Sequence, residues 1–254
     1  MIYKSIILSF LLLFSFSNLF AKDHKPTLLF YCGITMVKPM KEIAKIIEKK
    51  YHCNIKISQG GSKDLYESLK FSKKGDLYLP GSDSYRKNNL KDGLLLEGTY
   101  IGYNQASIFV QKNNPLNIKD LEDFVNEDLN SILCNPQSGS IGRVTKKIFT
   151  TYKNIDFFEE AFDNAVEIGI DSRNINQALI TKRVDLAINW KATAFWHENS
   201  KYIDVIQIDE KYAPKKKLVI NLLKFSKHKD IARDFMSYAS SLEGQEIMHK
   251  YGFR

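Results

Sequence analysis

Short apolar segments with strand character alternate with amphipathic helical segments along almost the whole chain. TLLFYCG at 27–33 has strand character, VKPMKEIAKIIEKKY at 37–51 has an apolar helical stripe, and NIKIS at 54–58 again has strand character. Gly, Pro, Asn and Ser mark most of the segment ends. Strands that alternate with helices about every ten to fifteen residues are typical of α/β folds. The sequence therefore predicts mixed, mostly parallel sheets with helices on both faces.

Three later segments are assigned from the same patterns. YNQASIFVQK at 103–112 is assigned as one longer strand, whereas IKDLEDFVN at 118–126 and TAFWHEN at 193–199 have helical spacing. No repeat or low-complexity segment interrupts the pattern. The chain is long enough for one large domain or two domains of ordinary size.

The first 21 residues have the pattern of an export signal. Lys4 precedes an apolar run from Ile6 to Phe16, and Ala21 fits the last position before a cleavage site. The run is shorter than the about 20 residues of a membrane span. Cys32 lies inside the first strand and not at the expected cut, which disfavours a lipid anchor. We expect a cleavable signal peptide and a soluble mature protein in the periplasm.

Charge and reactive residues exclude several classes of function. The chain has a formal net charge of +8, but its lysines are scattered and form no basic run interleaved with aromatic residues. We therefore expect mild steering of anions and no nucleic-acid partner. The five histidines are dispersed, and Cys32, Cys53 and Cys134 have no metal-ligand spacing. We expect no metal and no cofactor; buried thiols are favoured, and one disulfide stays open.

Four strand-to-helix turns carry small residues rich in hydrogen-bond donors. They are CGITM at 32–36, SQGGSKD at 58–64, NPQSGSIGR at 135–143 and IDSRNIN at 170–176. Each opens a helix, so each offers backbone N–H groups at the positive end of the helix dipole. Such residues are also ordinary helix caps, worth about 1 kcal/mol each. Four in series, two in each half of the chain, favour one shared anion site at the carboxyl ends of the strands.

These turns resemble those of the periplasmic solute-binding proteins of ABC importers, specifically the molybdate-binding group. The resemblance runs from about residue 28 to residue 253. In YCGITM, Thr35 stands where that family has a serine, and GGSKDL places Gly61 and Ser62 in the family's second ligand turn. The resemblance thus implies that these three residues contact the ligand.

The second half of the chain continues the resemblance. NPQSGSIGR is similar to the family's third turn, with Ser140 and the backbone N–H of Ile141 at the ligand. RNINQAL is similar to its fourth turn, with Ile175 as a further backbone donor. The ending GQEIMHKYGF is also similar to the way these proteins end.

This sequence departs from the family at several positions. Trp190 stands where the family has a ligand-contacting Tyr, and a Trp side chain donates one hydrogen bond and accepts none. Thr193 replaces an Asp, and Pro80-Gly81-Ser82 replaces a Ser-Ala-Asp motif. Arg143 and Arg173, at two of the turns, either add charge to the ligand site or cap neighbouring carboxylates.

The resemblance implies two lobes joined by a hinge, with the ligand clamped between them. Lobe 1 is expected at 22–103 plus 215–254 and lobe 2 at 104–214, with crossings near 100–105 and 209–217. The implied protein is a monomer that passes a molybdate-like or tungstate-like oxyanion to the membrane permease of an ABC importer.

Other ligands and roles stay open. Sulfate needs donors only, whereas phosphate or a phosphonate carries a proton at neutral pH and needs a carboxylate, which Asp64, Asp83 or Asp171 is near enough in sequence to supply. A sensor with the same clamp is an alternative role. An enzyme is expected less, because SGSIG has Ser138 where a nucleophile elbow has glycine, and no Walker, Rossmann or zinc-protease motif occurs.

Overall fold

The computed structural model describes residues 25–253, so the predicted signal peptide lies outside the described residues. The strands are β1 Thr27–Gly33, β2 Asn54–Gly60, β3 Leu77–Leu79, β4 Leu95–Asn104, β5 Ala106–Gln111, β6 Ser131–Cys134, β7 Glu167–Gly169, β8 Leu186–Trp190, β9 Ile203–Ile206 and β10 Lys216–Leu223. The α-helices are α1 Val37–Tyr51, α2 Ser62–Ser72, α3 Ser84–Asn89, α4 Ser140–Tyr152, α5 Ile155–Asp163, α6 Ser172–Ile180, α7 Lys229–Ser240 and α8 Leu242–Lys250. Within this part of the chain, no helix is long and apolar enough to cross a membrane.

The strands form two five-stranded sheets, and each sheet with its helices is one lobe. Lobe 1 contains the order β2-β1-β3-β10-β4, and lobe 2 contains the order β7-β6-β8-β5-β9. β1 pairs in parallel with β2 and β3, whereas β10 is antiparallel to both β3 and β4. In lobe 2, β6 pairs in parallel with β7 and β8, whereas β5 is antiparallel to β8 and β9. The predicted two-lobed α/β fold with mixed sheets is confirmed.

The chain passes between the two sheets twice. It leaves lobe 1 at the end of β4, with Gln105 between β4 and β5, and it returns between β9 and β10. These passages form the hinge region between the lobes. The predicted lobe boundaries, as limits of two domains, stay a prediction.

Each lobe has its own hydrophobic core, built from the apolar stripes of its helices and strands. In lobe 1, Met40, Ile43 and Ile47 of α1 are fully buried in a cluster with Phe235 of α7. In lobe 2, Phe149 of α4 packs in a cluster of aromatic rings and β-strand residues. The three cysteines are free and buried in these cores, which agrees with the buried-thiol alternative.

Three assignments from the sequence differ from the structure. The predicted strand at 103–112 is two strands in different sheets, because the chain passes from lobe 1 to lobe 2 at Gln105. The predicted helices at 118–126 and 193–199 are short 3-10 helices, Leu121–Val125 and Lys191–Phe195. Helices α3 and α5 lie where no helix was assigned from the sequence.

Candidate functional site

The four donor-rich turns meet at one cavity between the lobes, which we call the central cavity. Its wall is formed by Gly33, Ile34, Thr35, Gly60, Gly61, Ser62, Gly81, Gly139, Ser140, Ile141, Asp171, Ser172 and Trp190. The volume of this cavity is about 20 Å³. About 10–15 Å³ is enough to hold one water molecule. The central cavity therefore fits a compact group in this arrangement of the lobes.

Three helix N-termini reach the central cavity without a side-chain cap. Gly33 precedes the 3-10 helix Ile34–Met36, which continues into α1; Gly61 precedes α2, and Gly139 precedes α4. Among residues 25–253, no side chain makes a capping hydrogen bond at these three starts. The first N–H groups of a helix have no partner inside the helix, and they carry the positive end of its dipole. Three such ends from both lobes make the central cavity suited to an anion.

The fourth turn differs, because α6 carries its own cap. Asp171 accepts hydrogen bonds from the backbone N–H groups of Arg173 at 2.8 Å and Asn174 at 3.0 Å. The Arg173 guanidinium also donates to the Asp171 carboxylate, at 3.0 Å. The turn therefore brings a carboxylate to the wall of the central cavity, where the sequence predicted bare donors.

Ser62, at the start of α2, is buried and has a fixed orientation. Its hydroxyl oxygen accepts a hydrogen bond from the Gly81 N–H at 3.0 Å, and its carbonyl accepts one from the Tyr78 hydroxyl at 2.8 Å. Because the hydroxyl oxygen is already an acceptor, its own proton is available for a further acceptor. The side chain is therefore prepared to donate.

Thr35 links the central cavity to the hinge. Its hydroxyl donates to the Met36 sulfur at 2.6 Å and accepts from the side-chain amide of Asn104 at 3.4 Å. Asn104 is the last residue of β4, immediately before the chain passes to lobe 2. A sulfur atom is a weak acceptor, so an anion in the central cavity is a better partner for this hydroxyl.

Trp190 forms the wall contributed by lobe 2. It ends β8, and 1% of its surface is exposed. Its backbone N–H donates to the side-chain oxygen of Asn189 at 2.8 Å. Trp190 is therefore a nearly fully buried part of the wall, and its backbone is held by Asn189.

Three of the residues predicted for the site lie outside the wall. Ile175 is buried in the core of lobe 2, and its N–H donates to the Asp171 carbonyl at 3.2 Å as part of α6. Arg143 stacks on the ring of Tyr85, with 4.0 Å between the guanidinium carbon and the ring centroid. Arg173 pairs with Asp171. The structure brings the other six together: Thr35, Gly61, Ser62, Ser140, Ile141 and Trp190.

Sequence reasoning did not assign several residues of the wall. Ile34 and Ser172 each stand next to a predicted turn residue, and Gly33 and Gly139 directly precede helix starts. The glycine before an uncapped helix start was the available signal. Asp171 was noted as a nearby acceptor together with Asp64 and Asp83, and of these three carboxylates Asp171 is the one in the wall.

The lobes are closed on each other around the central cavity. A Cβ atom built on Gly61 would lie 2.9 Å from the carbonyl oxygen of Ser138 in the other lobe. Lys38 of α1 forms an ion pair with Glu198 of lobe 2. The closed arrangement therefore depends on a residue without a side chain at position 61 and on the ion pair between Lys38 and Glu198.

Two α/β lobes that close on a cavity lined by helix N-termini define a solute-binding protein of the type II periplasmic-binding-protein fold. The chain belongs to the family described as bacterial extracellular solute-binding proteins, whose model matches residues 28–254. ABC solute-binding proteins bind small ligands outside the cytoplasm and deliver them to a membrane permease. The predicted family, an extracytoplasmic location and a non-enzymatic class are thereby confirmed at the family level.

Individual relatives agree with this membership. YvgL of Bacillus subtilis (strain 168), named as an ABC transporter substrate-binding lipoprotein, is 24% identical over 236 residues, which is 91% of this chain and 87% of YvgL. The sulfate-binding protein SubI of Mycobacterium tuberculosis H37Rv has a TM-score of 0.79 at 16% identity, covering 90% of this chain and 86% of that chain. The periplasmic molybdate-binding protein of Azotobacter vinelandii has a TM-score of 0.72 at 14% identity, covering 89% and 98%. The two structural likenesses show the fold.

The relatives do not share one ligand or one mode of attachment. Other structural neighbours were solved with L-phospholactate or with iron bound, so the fold does not select the ligand. YvgL is named a lipoprotein, whereas the sequence of this chain predicts no lipid anchor. That absence, like the cleavable signal peptide, stays a prediction.

Proposed function

We propose that this protein captures a tetrahedral oxyanion in the central cavity and delivers it to the permease of an ABC importer. The observation that carries the proposal is the meeting of three uncapped helix N-termini, from both lobes, at one small cavity. Such ends bind anions through their N–H groups without a formal positive charge. In this role the mature protein is a periplasmic monomer, released by cleavage of its signal peptide.

The residues proposed to contact the oxyanion come from both lobes. The hydroxyl groups of Thr35 and Ser62 and the turn at Gly61 act from lobe 1. From lobe 2, the backbone N–H groups of Ser140 and Ile141 donate, and the Trp190 indole closes the cavity. Arg143, Arg173 and Ile175 act at a distance, through the contacts that hold Tyr85 and Asp171.

Molybdate or tungstate is the leading candidate for the oxyanion. It is supported by the resemblance of the turns to the molybdate-binding group and by the fold shared with the Azotobacter molybdate-binding protein. A fully ionised oxyanion takes hydrogen bonds from donors only, and the helix starts and hydroxyl groups of the wall are donors.

A protonated oxyanion, such as phosphate or a phosphonate, is the second candidate. Asp171 in the wall favours it, because a carboxylate accepts a hydrogen bond from a protonated oxygen and repels an oxygen that has no proton. Arg173 offsets part of this negative charge.

Competition calorimetry on the purified mature protein tests both candidates. Molybdate, tungstate, sulfate, phosphate and methylphosphonate are compared at pH 7. Molybdate and tungstate at least tenfold tighter than the others would support the first candidate, and a preference for phosphate or the phosphonate would support the second. Binding of none of the five would refute oxyanion capture. Uptake of the bound ion by cells with and without the gene separates transport from sensing.

A further inference from the structure

A second pocket, which we call the lysine pocket, opens beside the central cavity and is formed by both lobes. Its volume is about 300 Å³. Its lining includes Asp83, Lys87 and Lys216 of lobe 1 and Ser140, Arg143 and Lys147 of lobe 2. Ser140 also belongs to the wall of the central cavity, so the two spaces are neighbours in the same cleft.

One side of helix α4 runs from the central cavity along the lysine pocket. Ser140, Arg143 and Lys147 are three and four residues apart, so they lie on the same side of this helix. Ser140 stands at the uncapped start of α4, and Lys147 follows seven positions later. Seven helical residues correspond to about 10 Å along the axis. A molecule of a few carbon atoms and a lysine side chain together span this distance.

Two lysines of the pocket carry charges that are not paired. Within residues 25–253, neither Lys147 nor Lys216 forms an ion pair. Lys87, by contrast, is paired with Asp83 at 2.6 Å. Lys147 is exposed and Lys216 is half-buried. Both lysines line the pocket and have accessible surface, so their amines are available to a bound molecule.

The two unpaired lysines repel each other across the cleft. Burial is the main cause that lowers the pKa of Lys216, and the positive charge of Lys147 lowers it further. The Asp83 carboxylate offsets part of this effect, but it is already bonded to Lys87. Because Lys216 belongs to lobe 1 and Lys147 to lobe 2, closure of the lobes brings like charges together.

The charge balance of the lysine pocket favours an anion. Arg143 of lobe 2 lies over the ring of Tyr85 in lobe 1, and an aromatic ring does not neutralise its charge. Arg143 and the two unpaired lysines thus contribute three positive charges to one pocket. A cleft lined by one sign of charge concentrates ions of the opposite sign. An anion between the two lysines would replace their repulsion by attraction to a shared partner.

We propose that the lysine pocket is a second anion site, which holds a carboxylate between Lys216 of lobe 1 and Lys147 of lobe 2 and thereby favours closure. The carboxylate belongs either to the molecule whose oxyanion occupies the central cavity or to a separate small molecule. In the first case the inference rests on the proposed oxyanion capture and narrows the ligand to a phosphonate or phosphate with a second acid group. In the second case it is independent of that capture.

Calorimetry with two phosphonates tests the first source. 4-Phosphonobutyrate ends in a carboxylate that propylphosphonate lacks, and we expect it to bind the mature protein about fivefold more tightly, the gain of one partly exposed ion pair. Lys147→Gln and Lys216→Gln each remove one of the two unpaired charges. Each variant should lose most of the gain for 4-phosphonobutyrate and bind propylphosphonate nearly as tightly as the wild type does.

Lys146→Gln and Lys217→Gln are the matched controls, because each removes one positive charge from an exposed neighbouring position outside the lining of the lysine pocket. Both controls should keep most of the gain for 4-phosphonobutyrate. An equal loss in the controls would attribute the effect to net charge and would overturn the assignment to the lysine pocket.

Calorimetry with tricarballylate tests the second source. This tricarboxylate is too large for the central cavity of about 20 Å³. We expect it to bind the wild type saturably, to bind Lys147→Gln and Lys216→Gln about fivefold more weakly, and to bind Ser62→Ala as it binds the wild type. An equal loss in Ser62→Ala would place the tricarboxylate in the central cavity and would overturn the second source.

The proposal as a whole is overturned if 4-phosphonobutyrate has no advantage and tricarballylate does not bind, because the lysines are then solvated surface charges. The tricarballylate experiment needs no occupant in the central cavity. Its outcome is therefore distinguishable from a failure of oxyanion capture, which is measured with the five inorganic and phosphonate ions.

Discussion

The hydroxyl oxygen of Ser62 accepts a hydrogen bond from the backbone N–H of Gly81 at 3.0 Å. This bond joins the start of α2 to the turn after β3 and orients the serine toward the cleft. A Cβ atom on Gly81 would lie within 2.5 Å of the Ser140 hydroxyl oxygen, so the same turn also touches lobe 2. The turn at Gly81 thus holds Ser62, a hydrogen-bond donor of lobe 1, and also lies where the two lobes touch.

Ser62→Ala should weaken oxyanion binding by about 1–3 kcal/mol, since a buried charge-assisted hydrogen bond is lost. Calorimetry with the tightest-binding oxyanion measures the change. Ser68→Ala is the matched control, because Ser68 lies on the exposed side of α2 and donates to the Asp64 carbonyl. Unchanged affinity in Ser62→Ala would remove the hydroxyl from the site.

Gly61→Ala should obstruct closure without unfolding lobe 1. The φ angle of Gly61 is −64°, which alanine adopts readily, but the added Cβ would lie 2.9 Å from the Ser138 carbonyl across the cleft. We expect affinity to fall at least tenfold, or about 1.4 kcal/mol, with the melting temperature of the free protein nearly unchanged. Gly60→Ala is the control, because the nearest neighbour of its added Cβ atom is the Leu65 side chain at 3.5 Å. Closure of the lobes, measured by X-ray scattering, should persist in this variant. Full closure of Gly61→Ala with ligand would refute this account.

Asp171→Asn should change selectivity while keeping α6, because asparagine caps a helix nearly as well as aspartate. Removing a negative charge from the wall should strengthen sulfate or molybdate binding about fivefold, or roughly 1 kcal/mol. Phosphate should gain less, because its protonated oxygen loses an acceptor. Calorimetry at pH 7 compares the ions, with Asp156→Asn at the start of α5 as the control. Equal gains for sulfate and phosphate would contradict the proposed acceptor.

Acid should weaken closure through the ion pair of Lys38 with Glu198. Burial raises the pKa of Glu198, but hydrogen bonding from Lys38 and the positive charges of Lys38 and His197 outweigh burial and lower it. A carboxylate with a lowered pKa stabilises the closed form above its ordinary pKa, and the contribution is lost as pH falls through the lowered value. Glu198 is about half exposed, so the effect should stay below about 1 kcal/mol.

Sulfate affinity measured between pH 7 and pH 3.5 checks this pH dependence, because sulfate stays ionised over that range. Glu198→Gln should lack the acidic loss of affinity that the wild type shows. Glu122→Gln breaks an ion pair with Lys153 inside lobe 2 and should follow the wild type. If Glu198→Gln and Glu122→Gln behave alike, the ion pair between the lobes does not control closure.

The Cys134 thiol should react slowly in the native protein. Burial raises its pKa to about 11, and the thiolate is the reactive form. With a thiol-specific disulfide reagent at pH 8, we expect less than one fast-reacting thiol natively and three in guanidinium chloride. Because Cys134 precedes the turn that forms part of the central cavity, ligand should slow its reaction further. Cys134→Ser assigns the slow reaction to this thiol. If the wild type instead has a fast-reacting thiol that Cys134→Ser lacks, the turn after Cys134 is open to the reagent.

The fold was largely predictable from the sequence, because its signals are local. The apolar stripe of α1 and the apolar runs of β1 and β6 specify helix or strand within a few residues. The residues around Gln105 did not by themselves show the change of sheet, and only the resemblance to solute-binding proteins placed a crossing near 100–105. Strands that pair with each other lie far apart in sequence, so tertiary packing decides whether they pair in parallel or antiparallel.

The candidate site divides in the same way. Glycines and small residues before α1, α2 and α4 leave helix N–H groups without caps, and the local sequence alone determines this. Three other features depended on tertiary structure. They are the position of Ile175 in the core of lobe 2, the place of Asp171 in the wall of the central cavity, and the NH₂ group of Asn176 that has no partner among residues 25–253. Each is decided by contacts between segments distant in the chain, for example the bond from Asn189 to Asn176. Side-chain direction follows from such contacts and from closure of the lobes, which no local pattern encodes.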